Sequence, residues 1–116
     1  MGALHAGHAA LLRAARSECG SVVATLFVNP MQFGPTEDLE RYPRSFEADL
    51  ALAEVEGADL VWAPGVHDVY ARGAVEVSVS PGALGAVLEG AVRPTHFAGV
   101  LTVVAKFFSL VRPQHA

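Results

Sequence analysis

The sequence predicts an α/β fold, a parallel sheet with flanking helices, incomplete at both ends. Three observations predict it. Helical and strand-like segments alternate through the first half of the chain with short links between them. Both strand-like segments are brief apolar runs closed by proline turns. A chain of 116 residues, 52% of them hydrophobic, also holds enough apolar material for a core.

The first element is a helix over 9-AALLRAARSE-18, where leucine and alanine recur at helical spacing, arginines lie on the other side and Gly20 is placed to stop it. A strand follows in 21-SVVATLFV-28, rich in β-branched residues, closed by Asn29-Pro30 and expected to be buried on both faces. The next helix, 44-RSFEADLALAEVEG-57, puts Phe46, Leu50 and Ala53 on one stripe, with Pro43 near its start and Gly57 at its end. A second buried strand, 59-DLVWA-63, ends at Pro64-Gly65. In 75-VEVSVS-80, alternating valines predict a half-exposed strand, and 81-PGALGAVLEG-90 predicts a short helix closed by glycine. The last apolar segment, 97-FAGVLTVVAKFFSLV-111, is β-branched locally but too long for a strand. It is read as a helix with Thr95 as N-cap and Phe97, Val100, Leu101, Val104 and Phe108 on one face. In a wound sheet a strand should precede the first helix and another should follow the last one, so both ends are expected to be cut.

Composition excludes several classes. Twelve acidic and eight basic residues give a formal charge of −4, with no basic run to neutralise nucleic acid or bind an anionic membrane. The final apolar segment carries Lys106 in its middle and is short for a bilayer, and the N-terminus does not read as a signal peptide, so the cytoplasm is expected. The single Cys19 has no second thiol for a disulfide or a zinc site.

The stretch 5-HAGH-8 carries the first chemical signal. A helix start offers unpartnered backbone N–H groups and the positive end of the helix dipole, which attract phosphate. Gly2 and Gly7 place no Cβ in a ligand's way, and imidazoles three apart share a face and can each donate to phosphate oxygens. Such donors suit attack on a nucleotide's α-phosphorus, where charge grows on the phosphoryl oxygens and on departing pyrophosphate. The same pair can equally be a helix cap. A metal site would need further ligands, and His67, His96 and His115 show no supporting spacing, so no metal ligand is assigned.

A second signal lies in 27-FVNPMQFGPTEDLERYPR-44, where the first strand ends in Asn29 and Gln32 follows in a tight turn. Ligands of open α/β sheets bind beyond the carboxyl ends of strands, so both amides are expected in the crevice that the histidines face. An uncharged amide can grip a hydroxyl or carboxylate and leave the carboxylate nucleophilic. Asn-Pro is also an ordinary turn dipeptide.

Together, 1-MGALHAGH-8, 25-TLFVNPMQF-33, 38-DLERYPRS-45 and 89-EGAVRPTHFAGVLTVVAKFFSLVRP-113 resemble the pantothenate synthetase (pantoate–β-alanine ligase) family over essentially the whole chain. The short HxGH motif alone indicates only the wider nucleotidyltransferase superfamily. The resemblance implies a Rossmann-like domain, here the partial N-terminal nucleotide- and pantoate-binding domain over residues 1–116. It implies activation of pantoate by ATP, with Mg²⁺ carried on the nucleotide, to pantoyl adenylate, and displacement of AMP by the amine of β-alanine.

Residue by residue, it places ATP at Met1, Gly2, Ala3, Leu4, His5, Ala6, Gly7 and His8, with His8 as proton donor and His5 its partner on the phosphates. Pantoate falls to Gln32 and Asn29, with Phe27 and Val100 lining its pocket, and β-alanine to Tyr42, Arg93 and His96. Arg93 suits a carboxylate, though a solvated helix entry accounts for it as well. Family members are homodimers, and the 75–79 strand is the expected contact. The family's Gly-Glu-Lys-Asp motif and Ser-Ser-Arg loop do not occur in these 116 residues, so the chain alone is expected not to turn over at a useful rate. Another HxGH nucleotidyltransferase and a non-catalytic, self-associating fragment are the alternatives.

Overall fold

The computed structural model describes residues 2–34, 45–71 and 75–116. They gather into two compact units: residues 2–28 and 45–64 form one, and residues 29–34, 65–71 and 75–114 form the other.

The first unit is the α/β body. It contains helix α1 (Ala6–Glu18), strand β1 (Val23–Thr25), helix α2 (Phe46–Val55) and strand β2 (Leu60–Trp62). The strands pair in parallel, with Val23 opposite Leu60, Ala24 opposite Val61 and Thr25 opposite Trp62, and α2 supplies the crossover that parallel pairing requires. Leu12, Val22, Ala24 and Ala53 form the core, with Leu4, Ala15, Leu52, Ala58 and Val61 packed against it. Removing a side chain such as Leu12 from water contributes about 1.5–3 kcal/mol.

At the end of α2, Gly57 has φ +91°, and a Cβ there would lie 2.9 Å from the Arg16 methylenes. Those methylenes lead to a guanidinium that pairs with Asp59 at 2.7 Å, while Arg13 pairs with Glu56 at 2.7 Å. The arginines predicted on the polar side of α1 therefore clamp it to the end of α2 and the start of β2.

Two expectations for this unit need correction. The strands have three residues each, and Val23 and Leu60 are 39% and 57% exposed instead of buried on both faces. A strand face is buried only where another layer covers it, and among the described residues the sheet has two strands. On α2 the buried residues are Asp49 and Ala53, and Phe46 is 49% exposed. The helix is rotated so that a carboxylate points inward.

The second unit contains a 3₁₀ turn (Pro30–Gln32), helix α3 (Val66–Val69), a second 3₁₀ turn (Gly82–Ala86), helix α4 (Glu89–Val92) and helix α5 (His96–Val111). Helix α3 has no counterpart in the sequence reading. Residues 75–80 form no strand: Val77 is exposed, and the Val79 N–H donates to Thr102 Oγ1 at 3.0 Å where a ladder partner was expected. The single helix predicted over 81–90 is split by Leu88, at φ 51°, into the second 3₁₀ turn and α4. Gly90 lies inside α4 and closes nothing; a Cβ there would collide with the Gly85 carbonyl.

The long helix α5 forms as its length predicts. Thr95 holds the N-cap position without a side-chain bond. Its buried residues are Gly99, Thr102 and Val103, whereas Leu101 and Phe108, from the apolar face read in the sequence, are 37% and 49% exposed. Gly99 lies on the packed face because the Met31 and Gln32 main chain rests against it. Among the described residues no helix is long and apolar enough to cross a membrane.

Candidate active site

In the first unit, the HAGH stretch builds the start of α1. His5 is the N-cap, with extended backbone, and its Nδ1 accepts the Gly7 N–H at 3.1 Å. His8 returns the contact: its Nδ1 accepts the His5 N–H at 3.3 Å, which closes a capping box made of two imidazoles. The ring centroids are 4.1 Å apart, tilted by 46°.

An Nδ1 that accepts carries no proton, so each neutral ring bears its hydrogen on Nε2. Among the described residues neither Nε2 has a protein partner. Desolvation, followed by the charge of His5 and of the amino terminus, holds His8 below its ordinary value of 6.5, with Asp49 pulling the other way. At neutral pH His8 is therefore a neutral ring with one outward donor.

Gly7 has a local reason to be glycine. A Cβ there would lie 2.9 Å from His5 Cε1, so the small residue makes room for the capping ring.

The loop ahead of α1 differs from the expected set of open backbone donors. The Ala3 and Leu4 N–H groups donate to the Asp49 carboxylate at 2.8 and 2.6 Å, and those of His5 and Gly7 are taken by the two rings. Four of the amides expected to meet phosphate are thus engaged within the protein, and among the described residues the ring Nε2 groups and the Ala6 N–H are donors left on offer. Ala3 sits at φ 51°, in the left-handed region. Gly2 and Leu4 are half-buried, and Ala6 is the exposed first residue of α1.

In the second unit, Asn29 and Gln32 bracket the 3₁₀ turn. Asn29 is 3% exposed, and all its hydrogen-bonding capacity is used. Its Oδ1 accepts from the Met31 N–H at 3.2 Å and from the Tyr70 hydroxyl at 2.8 Å. Its Nδ2 donates to the Gly99 carbonyl at 3.0 Å and to Gln32 Oε1 at 3.4 Å. Burial pushes the Tyr70 phenol above its ordinary value of 10.0, which keeps it a donor.

Gln32 is anchored from two more sides, since its backbone carbonyl accepts from Arg93 Nη2 at 2.9 Å and lies 3.2 Å from His96 Nδ1. Arg93 also pairs with Glu89 at 2.9 Å. The structure thus brings Asn29, Gln32, Arg93 and His96 together, with Val100 half-buried on α5. Phe27, in the first unit, is 7% exposed. Met1 and Tyr42 lie outside the described residues.

Sequence reasoning missed two residues here. Asp49 and Tyr70 act on partners 46 and 41 positions away, and no local spacing announces either. The one available signal was an acidic side chain within an otherwise apolar helix stripe.

A family model described as pantoate-beta-alanine ligase matches residues 1–116. Pantothenate synthetase from Nocardioides sp. is 60% identical over 122 residues, covering 100% of this chain and 36% of that protein. Its counterpart from Streptomyces avermitilis is 56% identical, again with 100% of this chain and 36% of that protein covered. The chain thus spans little more than a third of the length of these relatives.

Among solved structures, pantothenate synthetase from Thermus thermophilus superposes with a TM-score of 0.91 at 57% identity, covering 98% of this chain and 41% of that one. The pantoate-beta-alanine ligase from Francisella tularensis, complexed with β,γ-ATP and β-alanine, gives 0.91 at 37% identity over 97% of this chain and 43% of that one. By sequence across its entire length, and by fold, this chain belongs to the pantoate-beta-alanine ligase family.

Proposed function

We propose that these 116 residues are the partial N-terminal domain, the nucleotide- and pantoate-binding part, of an ATP-dependent pantoate–β-alanine ligase. The observation that carries this reading is the imidazole capping box, which leaves two Nε2–H donors at the positive end of α1.

In the first half-reaction a pantoate carboxylate oxygen attacks the α-phosphorus of ATP, the bond to the β-phosphate oxygen breaks and pyrophosphate leaves. His5 and His8 donate hydrogen bonds to the phosphoryl oxygens as charge builds there, and the neutral His8 aims its Nε2–H at the leaving group as a hydrogen-bond donor while keeping the proton. In the second half-reaction the amine of β-alanine attacks the acyl carbon of pantoyl adenylate, AMP leaves and the amine gives up a proton. Mg²⁺ travels with the nucleotide as part of the substrate.

Gln32, anchored by Asn29, Arg93 and His96, grips pantoate, with Phe27 and Val100 as apolar lining. Because Asn29 is saturated by protein partners, its part is to hold Gln32. Arg93 and His96, with Tyr42, are assigned to the β-alanine end. The backbone amides of residues 3, 4, 5 and 7 shape the ATP loop, and Met1, Gly2 and Ala6 complete it. The cytoplasm and a homodimer belong to the same reading. The apolar side chains that α5 leaves exposed, Leu101, Phe108 and Leu110, supply surface for association.

Replacing the matching span of the Thermus thermophilus synthetase with this chain tests the assignment. Pantothenate should form from ATP, pantoate and β-alanine, and His5→Ala and His8→Ala should each lower kcat by about two orders of magnitude or more. A folded chimera indifferent to both substitutions would refute it. The 116 residues alone should show no useful turnover, and pantothenate formation by them would overturn that part.

A further inference from the structure

Asp49 is a carboxylate that is 3% exposed, on a helix far from the nucleotide loop in sequence, and the mechanism above does not use it. Its two oxygens are divided between two consecutive amides: Oδ2 accepts the Ala3 N–H at 2.8 Å and Oδ1 the Leu4 N–H at 2.6 Å. Ser45 Oγ adds a third bond, to Oδ1 at 3.1 Å. Parallel N–H groups on neighbouring residues require a kinked backbone, and Ala3 supplies the kink at φ 51°, a conformation that alanine does not hold unaided. The next residue after this pair is the N-cap imidazole.

We propose that Asp49 is the positioning residue of the nucleotide loop, its carboxylate locking Ala3 and Leu4 in the kink that delivers His5 and His8 to their capping-box pose. The proposal rests on the reading of that loop as the ATP cradle. The carboxylate also withdraws the Ala3 and Leu4 amides from any bound phosphate, since the anion already on them is the protein's own. The same negative charge favours the protonated form of His8, opposing desolvation, His5 and the amino terminus.

Asp49→Asn separates geometry from charge. An amide has one acceptor oxygen, so its NH₂ must confront either the Ala3 or the Leu4 N–H. In the Thermus thermophilus chimera, Mg·ATP binding by calorimetry should weaken about tenfold or more in this variant, while Glu47→Gln, on the exposed side of the same helix, binds as the parent does. The His8 titration, followed by NMR, should move to lower pH in Asp49→Asn, a change that loss of packing alone does not produce. A folded Asp49→Asn variant with parental affinity and an unmoved His8 titration overturns the proposal.

If Asp49→Asn does not fold, Ser45→Ala removes only the supporting hydroxyl and should weaken binding about threefold. Amide hydrogen exchange in the unmodified chain then decides: Ala3 and Leu4 should be protected well beyond Gly2, and fast exchange at both overturns the assignment. Should the parent chimera bind no Mg·ATP, the cradle reading falls, and the loop-locking role is judged by exchange and the His8 titration alone.

Discussion

The Tyr70 hydroxyl donates to Asn29 Oδ1 at 2.8 Å, and Asn29 in turn donates to Gln32 Oε1 at 3.4 Å. A phenol from the α3 end thereby fixes which way two successive amides point. Lys106 completes the support, lying 5.0 Å from the centre of the Tyr70 ring and donating to the Val69 carbonyl at 2.6 Å.

Tyr70→Phe should therefore cost about 1–2 kcal/mol, read as a shift of the urea midpoint, because a buried acceptor loses one of its two donors. Pantoate affinity should fall several-fold with the Gln32 amide less constrained. Alkaline titration gives a second reading. The phenol is held above 10.0 in the fold, so the unfolded chain releases its proton first; stability is full below that value and lost as pH rises through the folded value.

Gly99→Ala should act on the same turn from the other side. A Cβ at Gly99 would lie 2.5 Å from the Met31 carbonyl oxygen and 2.9 Å from the Gln32 nitrogen. The obstacle is main chain, so the turn must lift, and a loss of about 1–3 kcal/mol is expected in chemical denaturation. The Asn29–Gly99 bond should open with it, visible as a shift of the Asn29 side-chain NH₂ resonances.

His8→Ala removes one half of the capping box and should destabilise the chain by about 1 kcal/mol, with hydrogen exchange at the His5 amide accelerating. In the unmodified chain the cap should respond to acid. His8 is depressed below 6.5, so its contribution is present above that value and lost as pH falls through the folded value. Ring nitrogen shifts should show Nε2 protonated and Nδ1 bare in His8 at neutral pH, and the opposite tautomer would contradict the cap.

Asp59→Asn tests the clamp on α1. The Val22 N–H at 2.7 Å, then the Arg16 side chain, hold this carboxylate below 3.8, so its stabilisation is present above that value and lost as pH falls through the folded value. The variant should unfold over a shallower acid transition than the parent, as followed by circular dichroism.

Much of this was legible in the sequence where the signal is local. Helical spacing of Leu12 and Ala15, the length of the 97–111 run, the closing Gly57 and the brief β-branched strands each depend on neighbours a few residues away. What failed depends on distant partners. Alternating valines at 75–79 do not make a strand without a ladder partner, and the face of α5 is decided by which main chain lies on Gly99. The HAGH reading anticipated both the phosphate cradle and the helix cap. The structure shows the cap, which leaves both ring Nε2 groups without a protein partner among the described residues; the cradle is the proposal built on it. Asp49 and Tyr70 were invisible because their roles exist only once the chain has closed loops of more than forty residues.

At the crossing of α5 and the Pro30–Gln32 turn, one peptide backbone rests directly on another. Side chains can therefore drift around that junction without disturbing it, and a designer reshaping the turn has a fixed pivot there. Changes at Met31 or Val100 would alter the surroundings of the turn while the Gln32 amide keeps its aim.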